Sequence, residues 1–373
     1  MGVKILHCAD IHLDSPFALL TAQEAEKRRQ ELRSAFTSTI MYAKANGIKI
    51  FLISGDLFDR EFVTRDTIEA VSTAIAAYPE CTFLISPGNH DPIDNESQYK
   101  AVRFPQNAVI FDGTKRKISF DELGVDIYGV GFTSPVLESS PVLGYGELDP
   151  EKINILVCHG DMSSAQSKKG AISKEDISAS KFDYIALGHI HKPSGLLREG
   201  RTFYCYPGCI EGRDFGETGR HGFMVGIVGK NDVNLKFEPI SIHKYEILEV
   251  DLTECDTKTR ALDEIRTKIL QFGGETDLRL ILTGEPADAF VISVNELKNG
   301  IENCPSHIQI IDKTLPRIDM TSLETDISLR GIFYNKMMEI INSSKPDSDE
   351  YKIAADALRY GISALNDREF LDF

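Results

Sequence analysis

Short apolar runs alternate with longer polar stretches along this 373-residue chain, and nearly every run ends beside a histidine, aspartate or asparagine. The runs occupy residues 3–9, 48–54, 82–86, 153–158 and 184–187. They are rich in valine, isoleucine, leucine and phenylalanine, which predicts buried β-strands. Residues 21–46 and 64–78 are polar with apolar side chains at helical spacing, which predicts helices between the first three strands. Alternating strands and helices indicate an α/β fold.

Polar residues of a few types follow the apolar runs. They are Asp10, His12, Asp56, Asn89, His90, His159, His189 and His191. Imidazoles, aspartates and one asparagine carbonyl form a ligand set for two adjacent divalent cations. In open α/β sheets, ligands bind beyond the carboxyl ends of the strands, so we expect these residues to gather at one edge of a sheet. A single Asp-x-His or His-x-His pair is usually structural, and the metal-site prediction depends on all the motifs together.

The order of the motifs resembles that of the calcineurin-like metallophosphoesterases. The motifs are Asp10-x-His12, Gly55-Asp56-x-x-Asp59, Gly88-Asn89-His90-Asp91, His159-Gly160-Asp161 and Gly188-His189-x-His191. Within that superfamily, residues 187–193 followed by 206–208 look like the SbcD-type DNA repair nucleases, and residues 9–17 resemble the bacterial YhaO-type branch. The resemblance extends over residues 1 to about 240 and continues only in outline beyond them.

The resemblance implies two metal ions bridged by Asp56. One ion would be held by Asp10, His12, Asp56 and His191, and the other by Asp56, Asn89, His159 and His189. Ligands of these types without a thiolate suit Mn²⁺, Fe²⁺ or Zn²⁺. The resemblance favours Mn²⁺.

Charge counting makes this arrangement chemically sensible. The carboxylates of Asp10 and Asp56 neutralise only half of the charge of two dications, so the site would attract a phosphate and a hydroxide and activate a bridging water. By resemblance, His90 is not a ligand but stabilises developing charge or protonates the leaving oxygen. Asp59 or Asp91 would orient imidazoles from behind the ligands.

The remaining histidines are expected to be structural. They are His7, His221, His243 and His307. His7 lies on a predicted strand that alternates toward the core, so we expect it to be buried and hydrogen-bonded. Cys205 and Cys209 flank residues 206–208, but no second pair of cysteines or histidines nearby completes a zinc site.

The phosphoesterase domain is predicted to span residues 1–242. Three further strands, at residues 202–206, 223–228 and 233–237, are expected to form the second sheet of a β-sandwich. SbcD-like nucleases usually dimerise through this domain, which implies a homodimer here. The segments near Phe62 and residues 95–104 are the places where we expect that contact.

Residues 243–318 follow a strand–helix–strand–helix–strand pattern, which predicts a small α/β module. The module resembles the capping domain that overhangs the metal site in SbcD-type nucleases. Residues 319–373 predict two helices whose apolar faces either pack on their own domain or dock onto the coiled coil of an SMC-like ATPase of SbcC type. The second alternative predicts that Phe333, Met337 and Leu358 contact that partner.

The composition is that of an ordinary globular protein, with 42% hydrophobic residues. Seven cysteines lack the spacing of a disulfide framework, which favours a reducing compartment. The first apolar run is too short for a signal peptide, and no stretch is long enough to span a bilayer. We therefore expect a cytoplasmic protein.

The net charge of −16 opposes the phosphate contacts that dominate affinity for nucleic acids, so the isolated chain should bind DNA weakly. Three functions stay open at this point. The first is an SbcD-type DNA phosphodiesterase of a repair complex, acting as an exonuclease or endonuclease. The second is a phosphoesterase for nucleotides or other small substrates, which the acidity favours. The third is a non-catalytic scaffold for an SMC-like ATPase.

Overall fold

The computed structural model describes residues 2–18, 20–287, 291–299, 304–314, 317, 320–345 and 348–365. The chain forms two compact units, Met1–Tyr245 and Glu246–Phe373. The division of the second unit into a capping module and a helical segment stays a prediction.

The first unit contains two mixed sheets and three helices among its described residues. Its strands are β1 (Gly2–Cys8), β2 (Ile50–Ile53), β3 (Thr82–Ile85), β4 (Ala108–Ile110), β5 (Arg116–Phe120), β6 (Val125–Val130), β7 (Ile153–His159), β8 (Tyr184–Gly188), β9 (Leu197–Glu199), β10 (Thr202–Cys205), β11 (Gly222–Gly229) and β12 (Asp232–Pro239). Its α-helices are α1 (Ala22–Ala45), α2 (Arg65–Ala76) and α3 (Lys174–Ser180). Short 3-10 helices lie at Gln98–Lys100 and Asp121–Leu123.

The first sheet has the order β12-β11-β1-β2-β3-β4, and the second has the order β5-β6-β7-β8-β10-β9. Strands β1 to β4 are parallel to one another, as are β6, β7, β8 and β10. The outer strands β5, β9, β11 and β12 pair antiparallel with their neighbours. The predicted mixed α/β fold is therefore confirmed.

The two sheets pack face to face over a shared apolar core. Ile5 and Leu52 project into it from the first sheet, and Ile155, Val157 and Tyr184 from the second, all fully buried. Helices α1 and α2 pack on the opposite face of the first sheet through a second apolar core. Burial on both faces explains why these strands appear in the sequence as continuous apolar runs.

The two predicted helices of this unit are confirmed, and their first turns show why they begin where they do. The side chain of Thr21 accepts a hydrogen bond from the backbone of Glu24, whose carboxylate accepts from the backbone of Thr21. This capping box satisfies two N–H groups that the first turn of α1 leaves unpaired. At the start of α2, the side chain of Thr64 accepts from the backbone of Thr67, which satisfies one such N–H group.

The expected composition of the second sheet is wrong for two of its three predicted strands. Only β10 joins it, whereas β11 and β12 extend the first sheet beside β1. Strand β1 pairs with β2 along one edge, and its other edge would expose unpaired backbone groups without the β11–β12 hairpin. Local periodicity identifies a strand but not its partner, so the sequence pattern did not reveal this pairing.

The boundary between the two units falls within a strand, whose first two residues belong to the first unit. Its strands are β13 (Lys244–Asp251), β14 (Thr276–Thr283) and β15 (His307–Asp312), and its helices are α4 (Lys258–Ile269), α5 (Val294–Lys298), α6 (Met320–Glu324), α7 (Leu329–Ser343) and α8 (Asp349–Leu365). The strands form a sheet in the order β13-β14-β15, with β14 and β15 parallel. The alternation of strands and helices predicted for residues 243–318 is confirmed over its described part. The sequence pattern predicts the second helix of this region at residues 292–302; it corresponds to α5, and residues 300–303 lie outside the described part.

Helices α7 and α8 pack against each other through a small apolar core. Leu358 and Tyr334 are buried in it, and Phe333 and Met337 pack against it. The prediction of Leu358 as a partner contact is therefore wrong, because the hairpin buries that side chain in its own core. None of the helices in the described part of the chain has the length and apolar character needed to cross a lipid bilayer.

Candidate metal centre

The first predicted ligands lie in two loops at the carboxyl ends of β1 and β2, and backbone hydrogen bonds hold these loops side by side. The amide of Asp10 donates to the carbonyl of Gly55 at 3.1 Å, and the amide of His12 donates to the carbonyl of Asp56 at 2.9 Å. The loops therefore continue the pairing of the strands beyond their ends. Asp10, His12 and Asp56 are almost completely buried there.

The backbone of these loops is strained. Asp10, His12 and Asp56 have φ values of 51°, 49° and 50°, in the left-handed region that side chains with a Cβ rarely adopt. Such conformations cost about 1–3 kcal/mol each and persist where surrounding structure enforces them, often at functional sites. Gly55 has a φ of 91°, and a Cβ on it would lie 2.3 Å from Nδ1 of His159. Only glycine fits at that position.

The second sheet supplies the remaining histidines. His159 is the last residue of β7, and His189 and His191 follow β8. The expectation that the ligands gather at the edge of one sheet is therefore wrong, because the carboxyl ends of strands from both sheets meet at the same place. The pattern of buried runs is the same in both sheets and does not distinguish them.

Side-chain donors from both sheets converge into overlapping clusters. In each cluster, one nitrogen or oxygen from every member lies within 4.8 Å of the others. The clusters are Asp10 with His12 and His191, His12 with Asp56 and His90, and Asp10 with Asp56 and His159. Because Asp10, His12 and Asp56 each belong to two clusters, the donors form one continuous group.

The surroundings of His159 indicate a cation. Nδ1 of His159 lies 2.9 Å from the carbonyl oxygen of Ser54 and must donate its proton there, which leaves a lone pair on Nε2. That nitrogen faces Oδ1 of Asn89 at 3.1 Å and Oδ2 of Asp56 at 3.4 Å. Three lone-pair-bearing atoms without a proton among them repel one another, and a divalent cation bound between them removes that repulsion.

Two buried carboxylates face each other in this centre. The pKa of Asp10 is raised to about 7, chiefly by burial and also by the charge of Asp56, against the opposing effect of His191. Burial also raises the pKa of Asp56. Buried carboxylates are stable in the charged form only when paired or bound to a metal, so both residues fit the role of metal ligands.

The imidazoles are suited to offer lone pairs. Burial lowers the pKa of His159 to about 4, and the same cause lowers the pKa of His189 to about 4 and that of His12 well below its usual value. These rings are neutral near pH 7, as metal ligation requires. Nε2 of His12 lies 3.3 Å from Nε2 of His191, and the His189 ring lies edge-on to the His159 ring with centroids 5.2 Å apart.

His90 differs from the other histidines of the centre by its exposure. Its side chain is 47% exposed, and its ring lies edge-on to that of His12 at 4.7 Å. Nδ1 of His90 lies 3.5 Å from Oδ1 of Asp59, and this contact raises the pKa of His90. A histidine whose protonated form is favoured in this way and that is open to solvent is placed to contact a substrate. Asp59 thus contacts His90, which is not one of the predicted ligands, and its predicted role behind the ligands stays a prediction.

Asp91 acts on the backbone. Its carboxylate accepts hydrogen bonds from the amides of Asp56, Leu57 and Gly88, and from the hydroxyl of Tyr99 at 2.6 Å. These contacts hold the strained loop that presents Asp56. The sequence suggested that Asp91 orients an imidazole, whereas its two oxygens are engaged by these donors.

A series of buried, hydrogen-bonded polar residues contacts the predicted ligand His159 on the side away from the other donors. Nδ1 of His7 lies 2.7 Å from the hydroxyl of Tyr184, and Nε2 lies 3.0 Å from the hydroxyl of Ser54, whose carbonyl accepts from His159. The prediction that His7 is buried and hydrogen-bonded is confirmed. Ser54, Tyr99 and Tyr184 were not identified from the sequence, because single polar residues within apolar runs carry no distinctive local signal.

The donor set therefore fits the two divalent cations that the sequence predicts. It combines buried carboxylates, imidazoles and an amide oxygen, which suit Mn²⁺, Fe²⁺ or Zn²⁺. When bound, such ions neutralise the buried carboxylates, bind phosphate oxygens and lower the pKa of water. These are the requirements of phosphoester hydrolysis.

Comparisons with known proteins agree with this chemistry. The chain is 25% identical over 347 residues to the uncharacterized metallophosphoesterase YhaO of Bacillus subtilis (strain 168), with 86% of this chain and 84% of the relative covered. It is 23% identical over 285 residues to the SbcD subunit of the nuclease SbcCD of Staphylococcus epidermidis, with 67% of this chain and 73% of the relative covered.

Solved structures with a partly similar fold include TT1561 of Thermus thermophilus, with a TM-score of 0.39 and 11% identity over 62% of this chain and 100% of that chain. Another is the purple acid phosphatase PPD1 from yellow lupin seeds, with a TM-score of 0.37 and 10% identity over 61% of this chain and 49% of that chain. Residues 3–193 match the family model of calcineurin-like phosphoesterases. The chain thus belongs to the calcineurin-like phosphoesterase family, whose members are metal-dependent hydrolases.

Proposed function

We propose that this metal-dependent phosphoesterase hydrolyses phosphodiester bonds of DNA as the nuclease component of a repair complex. The observation that carries the proposal is the exposed, Asp59-paired His90 at the edge of a mostly buried group of donors suited to two metal ions. The similarity to the SbcD subunit of the nuclease SbcCD of Staphylococcus epidermidis supports DNA as the substrate.

The proposed ligands divide between the two ions as the sequence suggested. One ion is assigned to Asp10, His12, Asp56 and His191, and the other to Asp56, Asn89, His159 and His189. The clustering of Asp10, His12 and His191 supports the first set, and the contacts of His159 with Asn89 and Asp56 support the second. Mn²⁺ is the metal we propose.

His90 is proposed as the general acid. Asp59 favours its protonated form, and half of the side chain is open to a substrate. A positioned acid that donates a proton to the leaving oxygen contributes about 10²–10⁴-fold to the rate. Its proton would pass from the ring to the sugar oxygen as the phosphorus–oxygen bond breaks.

The test is hydrolysis of labelled duplex and single-stranded DNA by the purified chain in Mn²⁺, with a small phosphodiester assayed beside them. DNA cleavage that is lost in His90→Ala and in excess chelator would support the proposal. The Lys4→Ala variant is a matched control, since Lys4 lies near the amino end of β1 and its ammonium group donates to the exposed backbone carbonyl of Asn46. Cleavage that persists in His90→Ala would point to a contaminating nuclease or to another acid.

A second candidate function is hydrolysis of nucleotides or other small phosphoesters. The net charge of −16 favours it, because a polyanionic duplex is repelled by an acidic surface whereas a small diester reaches the site with less repulsion. Turnover of the small diester without cleavage of either DNA would support this candidate. A repeat of the assay with an ATPase partner distinguishes a missing partner from a different substrate.

We also propose that the carboxy-terminal helices bind an SMC-like ATPase of SbcC type. Helix α7 exposes Leu329 and Ile332 by 69% and 60%, and α8 exposes Ile353 by 69%, outside the core that joins the two helices. Residues spaced in this way on a helix form an apolar face of the kind that coiled coils recognise. The exposed side chains replace Leu358 as the proposed contacts.

Two variants test this partner proposal. Truncation after residue 318 should abolish co-purification with the ATPase, and Ile332→Glu with Ile353→Glu should do so without unfolding the helices, since both side chains are exposed. Lys336→Glu on the same helix is a control for charge. Retention of the ATPase by the truncated chain would refute the proposal.

A homodimer formed by the phosphoesterase unit is also proposed. Phe62, in one of the segments suggested by the sequence, is 48% exposed. Sedimentation of Phe62→Glu as a monomer beside a dimeric parent protein would support this contact.

All seven cysteines carry free thiols, which is consistent with the proposed reducing, cytoplasmic compartment.

A further inference from the structure

The carboxylate of Glu217 lies behind the ring of His191. Oε1 of Glu217 is 2.5 Å from Nδ1 of His191, on the side of the ring opposite to Nε2. Nε2 faces the metal centre, with Nε2 of His12 at 3.3 Å and Oδ1 of Asp10 at 3.9 Å. Glu217 is therefore outside the group of donors and in contact with one of its members.

Arg213 fixes this carboxylate from a second direction. Its backbone amide donates to Oε2 of Glu217 at 2.8 Å, and its Nη2 lies 2.8 Å from Oε1. Nε of Arg213 lies 3.3 Å from Oε2, so the guanidinium contacts both oxygens of Glu217. Both side chains are largely buried, with 11% of Glu217 and 19% of Arg213 exposed. A carboxylate held by a buried guanidinium in this way has little freedom to rotate.

The contacts of Nδ1 are compatible with two tautomers of His191, of which only one can bind a metal. Nη2 of Arg213 also lies 2.8 Å from Nδ1, but an arginine only donates, and Nδ1 serves either as a donor or as an acceptor. If Nδ1 accepted from Arg213, the proton of a neutral ring would be on Nε2, where it would block metal ligation. Donation from Nδ1 to Glu217 instead leaves the lone pair on Nε2, directed at the metal centre.

We propose that Glu217, held by Arg213, is the positioning residue that keeps His191 in its metal-binding tautomer and orientation. Glu217 contacts neither the substrate nor the metal, and it acts only through the imidazole. Hydrogen bonds of this kind raise the basicity of a histidine ligand and fix the rotation of its ring. The inference rests on the proposed assignment of His191 to one of the two ions.

The segment that carries Glu217 is anchored on three sides. Glu211 forms a buried ion pair with Arg28 of α1 at 3.4 Å, and the ring of His221 lies 2.9 Å from the carbonyl of Glu217. The amide of Gly219 donates to the carbonyl of Tyr245 at 2.9 Å. This anchoring makes the segment a rigid support rather than a loop that follows the motion of His191.

Metal binding to the full chain tests the proposal independently of catalysis. Mn²⁺ is titrated calorimetrically into protein freed of metal, and two binding steps are expected for the parent chain. Glu217→Ala should weaken one step by about 10–100-fold and leave the other unchanged. Glu217→Gln should weaken the same step less, because its amide oxygen still accepts from Nδ1 but lacks the charge.

A matched control is Glu199→Gln, which removes one carboxylate from a pair with Lys174 on another part of the same unit. It should leave both steps unchanged. Equal binding by Glu217→Ala, Glu217→Gln and the parent chain would overturn the positioning role. If the parent chain binds no Mn²⁺ and no Fe²⁺ or Zn²⁺, the proposed ligand set itself fails. If Glu217→Ala does not fold, as judged by its far-UV circular dichroism, the comparison of Glu217→Gln with the parent chain decides.

Discussion

The backbone amide of His189 donates to the carboxylate of Asp10, with both carboxylate oxygens 3.0 Å from the nitrogen. Asp10 follows β1 of the first sheet and His189 follows β8 of the second, 179 positions later in the chain. Both residues have positive φ values, of 51° and 113°. The hydrogen bond therefore joins the two sheets at the metal centre, and it forms only when the sheets pack on each other.

Asp10→Asn should separate metal binding from folding. Because burial raises the pKa of Asp10, its ionised form destabilises the metal-free protein at pH 8, and the neutral amide should raise the melting temperature in chelator. The same variant should lose most of the stabilisation by Mn²⁺, which is about 2.7 kcal/mol for the parent chain at 100 times the dissociation constant. Thermal unfolding with and without Mn²⁺ measures both effects. A Mn²⁺-induced shift equal to that of the parent chain would exclude Asp10 as a ligand.

Gly188→Ala should disrupt the junction between the sheets. A Cβ at this position would lie 1.7 Å from the carbonyl oxygen of Ser54, so the backbone of one loop must move. We expect a loss of about 3 kcal/mol in the free energy of unfolding, the upper range for overpacking, together with weaker Mn²⁺ binding. Chemical denaturation and calorimetry measure the two effects.

Gly195→Ala is the matched control for this substitution. Gly195 has a φ of 68° with no atom near its missing Cβ, so its substitution should cost only about 1 kcal/mol of backbone strain. An equal loss of unfolding free energy in the two variants would contradict the prediction, because it would show that the loop of Ser54 moves away from the added Cβ at no cost.

Asp59→Asn should move the alkaline limb of the pH–rate profile. The hydrogen bond that the His90 ring donates to Asp59 raises the pKa of His90, and a general acid acts in its protonated form, so activity should fall as the pH rises through that pKa. Without the carboxylate, the pKa falls and the limb should shift to lower pH, while the rate at acidic pH changes little. Ser15→Ala removes another partner of Asp59 and should leave the limb in place. An unmoved limb in Asp59→Asn would exclude His90 as its origin.

His7 should make the first unit sensitive to acid. Burial lowers the pKa of His7 to about 3, so the folded state keeps the ring neutral while the unfolded state takes up a proton below its usual pKa of 6.5. Stability is therefore lost as the pH falls from 6.5 toward 3, by up to about 1.4 kcal/mol per pH unit from this residue.

His7→Gln should remove that contribution. Denaturant unfolding at pH 6.5, 5.5 and 4.5 should give a shallower pH dependence for His7→Gln than for the parent chain. Tyr184→Phe removes the hydroxyl that contacts Nδ1 but keeps the titrating ring, so it should retain the steep dependence. Parallel curves for His7→Gln and the parent chain would contradict the prediction.

The sequence by itself determined most of the strands and helices and the identity of most residues that converge, whereas β4, β5, β6, β9 and α3 were not predicted. The apolar run of β2 (Ile50–Ile53) identifies a buried strand, and α1 carries its own start signal at Thr21, so both elements could be predicted from neighbouring residues. The motifs also place Asp10, Asp56 and His159 at strand ends without knowledge of the fold. A local sequence pattern is sufficient to predict a strand or a helix whose formation depends on neighbouring residues.

Only the tertiary structure decided which strands are neighbours and what surrounds each ligand. The pairing of β11 with β1 joins residues more than two hundred positions apart, and no local periodicity encodes it. The contact of Glu217 with His191 and that of His189 with Asp10 arise in the same way, from loops that meet after the sheets have packed. The choice among many possible long-range contacts depends on the burial and hydrogen bonding of the whole unit, which a single sequence pattern does not specify.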